Sequence, residues 1–262
     1  YRDDSLKRKT ARAVMSGLVD LEEYGEFRIP LDPVTSALRP TWRTQSSLDL
    51  AGNRYIDSLN WTLPLLRVGL DLQAKETTAV EGAAMVAQFV ALARQWVALQ
   101  PPPAKRGVWV NHPQYGGFRL AVFTCAVREL PDPVDNAWMV EQARAERAVQ
   151  LGRFSLSGAN NTMLNSQLAA YAAAHEVGTP AQQAQARSNV LALVARLTHA
   201  DGSDQEGAPG YGIYLATIEA RTAAVMDLYA AATDATTVRA ALARTARFAA
   251  AASRPDRRIE TI

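Results

Sequence analysis

Cysteine is almost absent from this chain. The single thiol, Cys125, excludes an intrachain disulfide and any cysteine-based zinc site. It sits in the apolar run LAVFTCAV, where a buried, inert thiol is expected rather than a nucleophile. An excess of one charge is lacking too. The net charge is +2 with the signs well mixed, so no basic field points to nucleic acid. A local cluster of Arg and His would still suffice for acidic sugars. No apolar stretch approaches the ~20 residues of a membrane span, so no membrane partner is expected. Alternating strand patterns are wanting, and VWV at 108–110 is too short to count. No GxSxG, GxxxxGK[ST], HExxH or GxGxxG occurs in a usable context. Hydrolase-elbow, P-loop, zincin and dinucleotide readings therefore have no support, and no cofactor is expected.

What is present is helix, much of it rich in alanine. The 262 residues can bury a sizeable core. Leu6, Ala11, Val14, Met15, Leu18 and Leu21 are spaced for an amphipathic helix within residues 1–24. Pro30, Pro33 and Pro40 then mark a loop anchored by Trp42. Helix resumes over 46–75, started or kinked at Pro64 with Asn60, Trp61 and Thr62 at its mouth. Residues 77–99 follow, capped by Thr77 or Thr78, with Val80, Ala84, Phe89, Ala93, Trp96 and Val97 at helical spacing. A polar aromatic lead-in (Trp109, Asn111, His112, Tyr115) opens an apolar helix to Leu130. Residues 135–151 read as a more exposed helix, and Met163–Val177, 180–199, 211–232 and 235–252 as four more.

Such a chain is all-α, and consecutive helices with short connections pack antiparallel. Helix pairs that each begin at a polar loop suggest an α/α toroid, in which one end collects the loops and the sites. The expected division is a helical and proline-rich lead-in over 1–40, a toroid domain over 41–252 and a polar tail over 253–262.

Two polar interruptions stand out, SLSGANNTMLNSQ at 155–167 and ADGSDQEGAPGYGIYLA at 200–216. In the second, Tyr211 and Tyr214 lie three apart at a helix start and share a face. A tyrosine there serves as acid or base beside a cation, or else packs or stacks on a sugar. Asp201, Asp204 and Glu206 most simply cap the helix and balance its dipole; they lack the ligand count and spacing of a calcium site. Asn160 and Asn161 read as a turn with an N-cap, or as amides that hold a sugar carboxylate while a proton leaves the adjacent carbon. His112 and Arg119 either pair with a uronate or serve their own segment. His175 lies near a helix C-terminus, where a dipole partner accounts for it, and His199 stays ambiguous.

Four segments taken together resemble the helical toroid domain of the heparinase II/III-like polysaccharide lyases, relatives of certain alginate lyases. They are NWTLPLLRVGLDL with QFVALARQWVALQPPP, WVNHPQYGGFRLAVFTCAV, SGANNTMLNSQLAAYAAAHEVG and DGSDQEGAPGYGIYL. The resemblance spans roughly residues 40–250 through short, degenerate motifs. It implies β-elimination on an acidic polysaccharide, with Asn161 neutralising the uronate carboxylate and Tyr211 transferring the proton. Trp61, Asn60, His112, Arg119, Glu206, Tyr214 and Thr162 would line the groove, with no metal involved. Glu206 and Tyr211 keep the family's interval of five. Two positions depart from the pattern, since Thr162 and Gly212 stand where histidines are expected. Members continue into β-sandwich domains, so a C-terminal β-sandwich domain or a second chain is an expected partner. The chain opens at Tyr1 rather than Met, and a secreted or periplasmic location is expected. Two other functions stay open: a non-catalytic toroid that binds a glycan or a protein, and a glycoside hydrolase pairing Glu206 with Asp57 or Asp49.

Overall fold

A computed structural model describes residues 4–21, 25–31, 50–106, 110–130, 136–205, 207 and 209–252. Among them are ten α-helices and one two-stranded hairpin, in two compact units, residues 1–122 and 123–262. Trp42, Asp49, Trp109, Glu206, most of VWV and the tail from 253 lie outside the described residues.

In the first unit, α1 (Asp4–Met15) stops earlier than its apolar spacing predicts. Gly17 takes φ +81 and accepts a hydrogen bond from Ile29 N at 2.7 Å. That turn sends the chain into β1 (Leu18–Asp20), antiparallel to β2 (Glu26–Arg28) with Val19 opposite Phe27. Leu18 and Leu21 thus belong to the hairpin and its end, not to a helix. The predicted 46–75 helix is likewise broken into α2 (Leu50–Asp57), a 3-10 turn at Asn60–Thr62, and α3 (Leu63–Gln73) with Pro64 in its first turn.

α4 (Ala79–Leu99) packs on α3 where two glycines meet. A Cβ on Gly82 would lie 2.5 Å from Gly69 O, so this close approach tolerates no side chain. The core face of α4 is Gly82, Met85, Phe89, Leu92, Ala93 and Trp96, while Val80 is exposed. Thr78 occupies the cap position but donates to Leu72 O at 2.9 Å instead of capping. Glu76–Leu99 is also long and apolar enough by length and composition to cross a membrane, contrary to the expectation that no stretch reaches that length. Its alanines, sparsely interrupted by charge, produce that composition, and its glycine face is occupied by α3. α5 (Pro113–Glu129) contributes residues up to Val122 to the first unit and the remainder to the second.

The second unit comprises the end of α5 with α6 (Ala137–Leu151), α7 (Asn161–Val177), α8 (Pro180–Leu197), α9 (Pro209–Leu228) and α10 (Ala232–Ala252). α7 is its central helix and contacts α6, α8 and α9. Ala169, Ala170, Ala173 and Ala174 are buried on it, small side chains that let neighbours come close. α6 is not the exposed helix its polar composition predicts. Gln142, Glu146, Arg147 and Gln150 are all buried, and Gln150 anchors a polar spine running through three helices. Ser166 Oγ donates to Gln150 Oε1 at 2.8 Å, Gln167 Nε2 to Gln150 O at 2.6 Å, and Asn189 Nδ2 to Gln167 Oε1 at 2.9 Å. These amides satisfy one another in part, while Gln150 Nε2 and the Arg147 Nε and Nη1 are buried without a partner among the described residues. Cys125 is half-buried rather than fully buried.

Helix starts follow local chemistry. Asn160 Oδ1 accepts from Met163 N at 2.8 Å to cap α7. Thr179 and Gln182 form a reciprocal capping box ahead of Pro180 in α8. α7 and α9 run parallel: Asn161 and Tyr211 near their starts border one crevice, and Tyr171 and Tyr229 near their ends lie 6.0 Å apart, edge to face.

Candidate active site

The polar loop after α8 is a compact turn rather than a loose connection. Thr198 pairs with Asp204 across an isolated bridge, and His199 N donates to Ser203 O at 2.9 Å. Asp201 Oδ1 accepts from Ser203 N and Oγ at 2.9 and 2.7 Å, which holds its carboxyl below the usual range. Gly202, at φ +90, lies so close to α10 that a Cβ would sit 2.2 Å from Arg244 O. Beneath the loop, Thr198 Oγ1 meets the fully buried Glu219 Oε1 at 2.5 Å. Burial pushes the Glu219 carboxyl up.

The loop and the starts of α7 and α9 border a tight crevice with no room for a water molecule, lined by Asn161, Leu197, Asp204, Gln205, Tyr211 and Leu215. Asn161 is 4% exposed as the first residue of α7, where the positive end of the helix dipole also favours an anion. Tyr211, in the first turn of α9, is 52% exposed, and its hydroxyl bonds to none of the described residues. The two asparagines therefore divide the work: Asn160 caps, and Asn161 faces the crevice. Thr162 Oγ1 donates to Asn160 Oδ1 at 2.7 Å, so this hydroxyl supports the cap.

One turn further along, Asn165 Nδ2 donates to Tyr214 Oη at 3.1 Å. Asp204 is a lining residue that sequence reasoning assigned only to helix capping. Its Oδ1 does accept from Gly207 N at 2.8 Å, but a Cβ on Gly212 would meet its Oδ2 at 3.2 Å. Glycine at 212 thus leaves room for a carboxylate where the resemblance expects a histidine. No sequence pattern reveals this, because the contact depends on how the loop folds back over α9.

The remaining candidates belong to the first unit. Arg119 is fully buried: Nη1 donates to Asp57 O and Val110 O, both at 3.1 Å, and its guanidinium lies 4.6 Å from the Trp96 ring. Arg106 also lies over that ring, at 4.5 Å, and Trp96 Nε1 donates to Asp57 Oδ1 at 3.2 Å. Burial raises the Asp57 carboxyl, against the pull of the Trp96 bond and the two guanidinium groups. Trp61 is 5% exposed, donates to Ile56 O at 3.0 Å and meets Phe27 edge-on at 5.7 Å. Its ring is part of the core and presents no open face to a sugar. Asn60 Nδ2 donates to Tyr55 Oη at 2.8 Å, and the half-buried His112 lies 5.4 Å from the Tyr115 ring just ahead of α5. His175, at the far end of α7, stacks on Tyr229 at 4.4 Å, away from the crevice.

No protein-family profile and no curated protein matches the sequence. Solved structures do resemble the fold. A mutant of heparan sulfate lyase HepC from Pedobacter heparinus superposes with a TM-score of 0.67 at 13% identity, covering 99% of this chain and 40% of that one. HepC itself gives 0.64 at 13% identity, over 98% and 40%. A structure described as heparinase III, BT4657 gene product, gives 0.60 at 15% identity, over 96% and 41%. This chain therefore has the all-α, α/α-toroid fold found in heparan sulfate lyases, and it spans about two-fifths of their length.

Proposed function

We propose that this chain carries the proton-transfer side of a polysaccharide lyase acting on a uronate-containing polysaccharide by β-elimination. The supporting observation is that Asn161 and Tyr211 border one crevice at the parallel starts of α7 and α9. In such a reaction a base takes the proton from the carbon α to the uronate carboxylate, and the electron pair moves onto that carboxylate. The bond from the β carbon to the leaving sugar oxygen then breaks, and the oxygen is protonated. Asn161 donates to the carboxylate as it gains enolate character, helped by the dipole of α7. Tyr211, unbonded within the described structure and half exposed, exchanges the proton with the sugar. Asn60 and His112 are the first unit's candidates for sugar contacts, whereas Trp61 and Arg119 serve its interior. A further domain or second chain completing the groove, and a secreted or periplasmic setting, belong to the same reading.

The test is turnover by the longest available form of the protein on alginate, heparan and hyaluronan, followed by the ultraviolet absorbance of the unsaturated product. Tyr211→Phe should abolish turnover and keep binding. Silence of the wild-type protein across that panel would sink the lyase reading. The alternative, a non-catalytic glycan-binding toroid, is favoured by Thr162 being engaged in the cap and by Gly212 offering no base. It expects glycan affinity in both wild type and Tyr211→Phe, without product from either.

A further inference from the structure

Tyr214 follows Tyr211 by one turn on α9, and its hydroxyl is held from one side only. A phenol has one proton to give and lone pairs to receive. Asn165 Nδ2 donates to Tyr214 Oη at 3.1 Å, and Asn165 Oδ1 faces Arg221 Nη1 at 3.5 Å. Arg221 decides the amide's orientation. A guanidinium only donates, so the Asn165 atom facing it is the carbonyl oxygen, and the NH₂ group is left for Tyr214. Tyr214 is then an acceptor toward Asn165, and its own proton points elsewhere. None of the described residues accepts that proton, and the side chain is 36% exposed. Arg221, two turns after Tyr214 on α9, leans toward the helix N-terminus and so reaches Asn165 of α7.

We propose that Arg221, acting through Asn165, fixes Tyr214 as an outward hydrogen-bond donor to an anionic oxygen of the glycan, from a carboxylate or a sulfate ester. This rests on reading the face as a glycan site, and it makes Arg221 a positioning residue for a subsite next to Tyr211.

Affinity is best measured by calorimetry in the Tyr211→Phe background of the longest chain, which removes turnover from the readout. The probes are alginate, heparan sulfate and carboxyl-reduced alginate. Tyr214→Phe and Arg221→Met should each weaken binding of an acidic polymer by roughly tenfold, the scale of one hydrogen bond to a charged group. Arg221→Lys should recover most of the loss, and Tyr214→Phe with Arg221→Met should bind no worse than either alone. An equal loss on alginate and heparan sulfate assigns the anion as carboxylate; a loss confined to heparan sulfate assigns sulfate. Additive losses, an equal loss on the carboxyl-reduced polymer, or unchanged affinity in Arg221→Met would each overturn the relay. If the coupled pattern holds while the wild-type protein makes no unsaturated product, the relay stands and the lyase reading fails. Product formation with additive losses gives the reverse, and no binding to either acidic polymer overturns both.

Discussion

Two adjacent asparagines offer a clean separation of stability from function. Asn160 Oδ1 accepts from Met163 N at 2.8 Å and from Thr162 Oγ1 at 2.7 Å. Replacing it with alanine removes an N-cap worth about 1 kcal/mol and strands the threonine hydroxyl, for a total of roughly 1–2 kcal/mol. In a chain of this size that lowers Tm by roughly 2–4 °C. The crevice-facing Asn161 is left in place, so kcat at a temperature well below Tm should fall no more than about threefold, a change of under ~1 kcal/mol. Asn161→Ala should behave in the opposite way. The cap survives, and the loss is a donor needed chiefly as negative charge builds on the carboxylate. That predicts a fall in kcat of about 10²–10³ with a smaller change in KM. Initial rates of unsaturated product and a thermal melt, run on both variants, decide the matter. A loss below about tenfold in Asn161→Ala, or a larger activity loss in Asn160→Ala with an unchanged melt, would refute the division of roles.

Other variants probe the scaffold. Gly82→Ala puts a Cβ 2.5 Å from Gly69 O and Gln73 N, and should cost at least about 1–3 kcal/mol by denaturant titration. Gly202→Ala meets both a positive φ and Arg244 O, so it should lower Tm and impair the loop that carries Asp204; an unchanged melt would contradict the packing described. Glu219 has its carboxyl raised by burial, so its contribution to stability is fully present below the unfolded pKa of about 4.3 and is lost as pH rises through the folded value. Glu219→Gln should therefore gain on wild type as pH rises from 4 to 8. The difference between the two melts is the readout, because Asp57 adds a trend of the same sign to both.

Local signals carried the helix starts. Pro64, Asn160, Thr179 and Pro180 act through their own backbone and a neighbour three residues away, so their effects can be read before any tertiary contact is known. The same locality misled at α1, whose apolar spacing runs on through Leu18 and Leu21 although Gly17 turns the chain into a hairpin. It misled again at α6, where Gln142, Glu146 and Gln150 look solvated by type but are buried against partners from their own and neighbouring helices.

The sequence by itself determined an all-α chain, the placing of its later helices and the two polar interruptions from which α7 and α9 begin. Periodicity and capping are properties of adjacent residues, and they hold whatever the chain later packs against. Only the tertiary structure decided that Asn161 and Tyr211 border one crevice, that Asp204 joins them beside Gly212, and that Arg119 and Trp61 belong to the interior. Those outcomes depend on which helix faces meet across long sequence separations. An arginine beside a tryptophan or a tyrosine at a helix start is chemically the same residue in a core or in a cleft until a neighbour covers it.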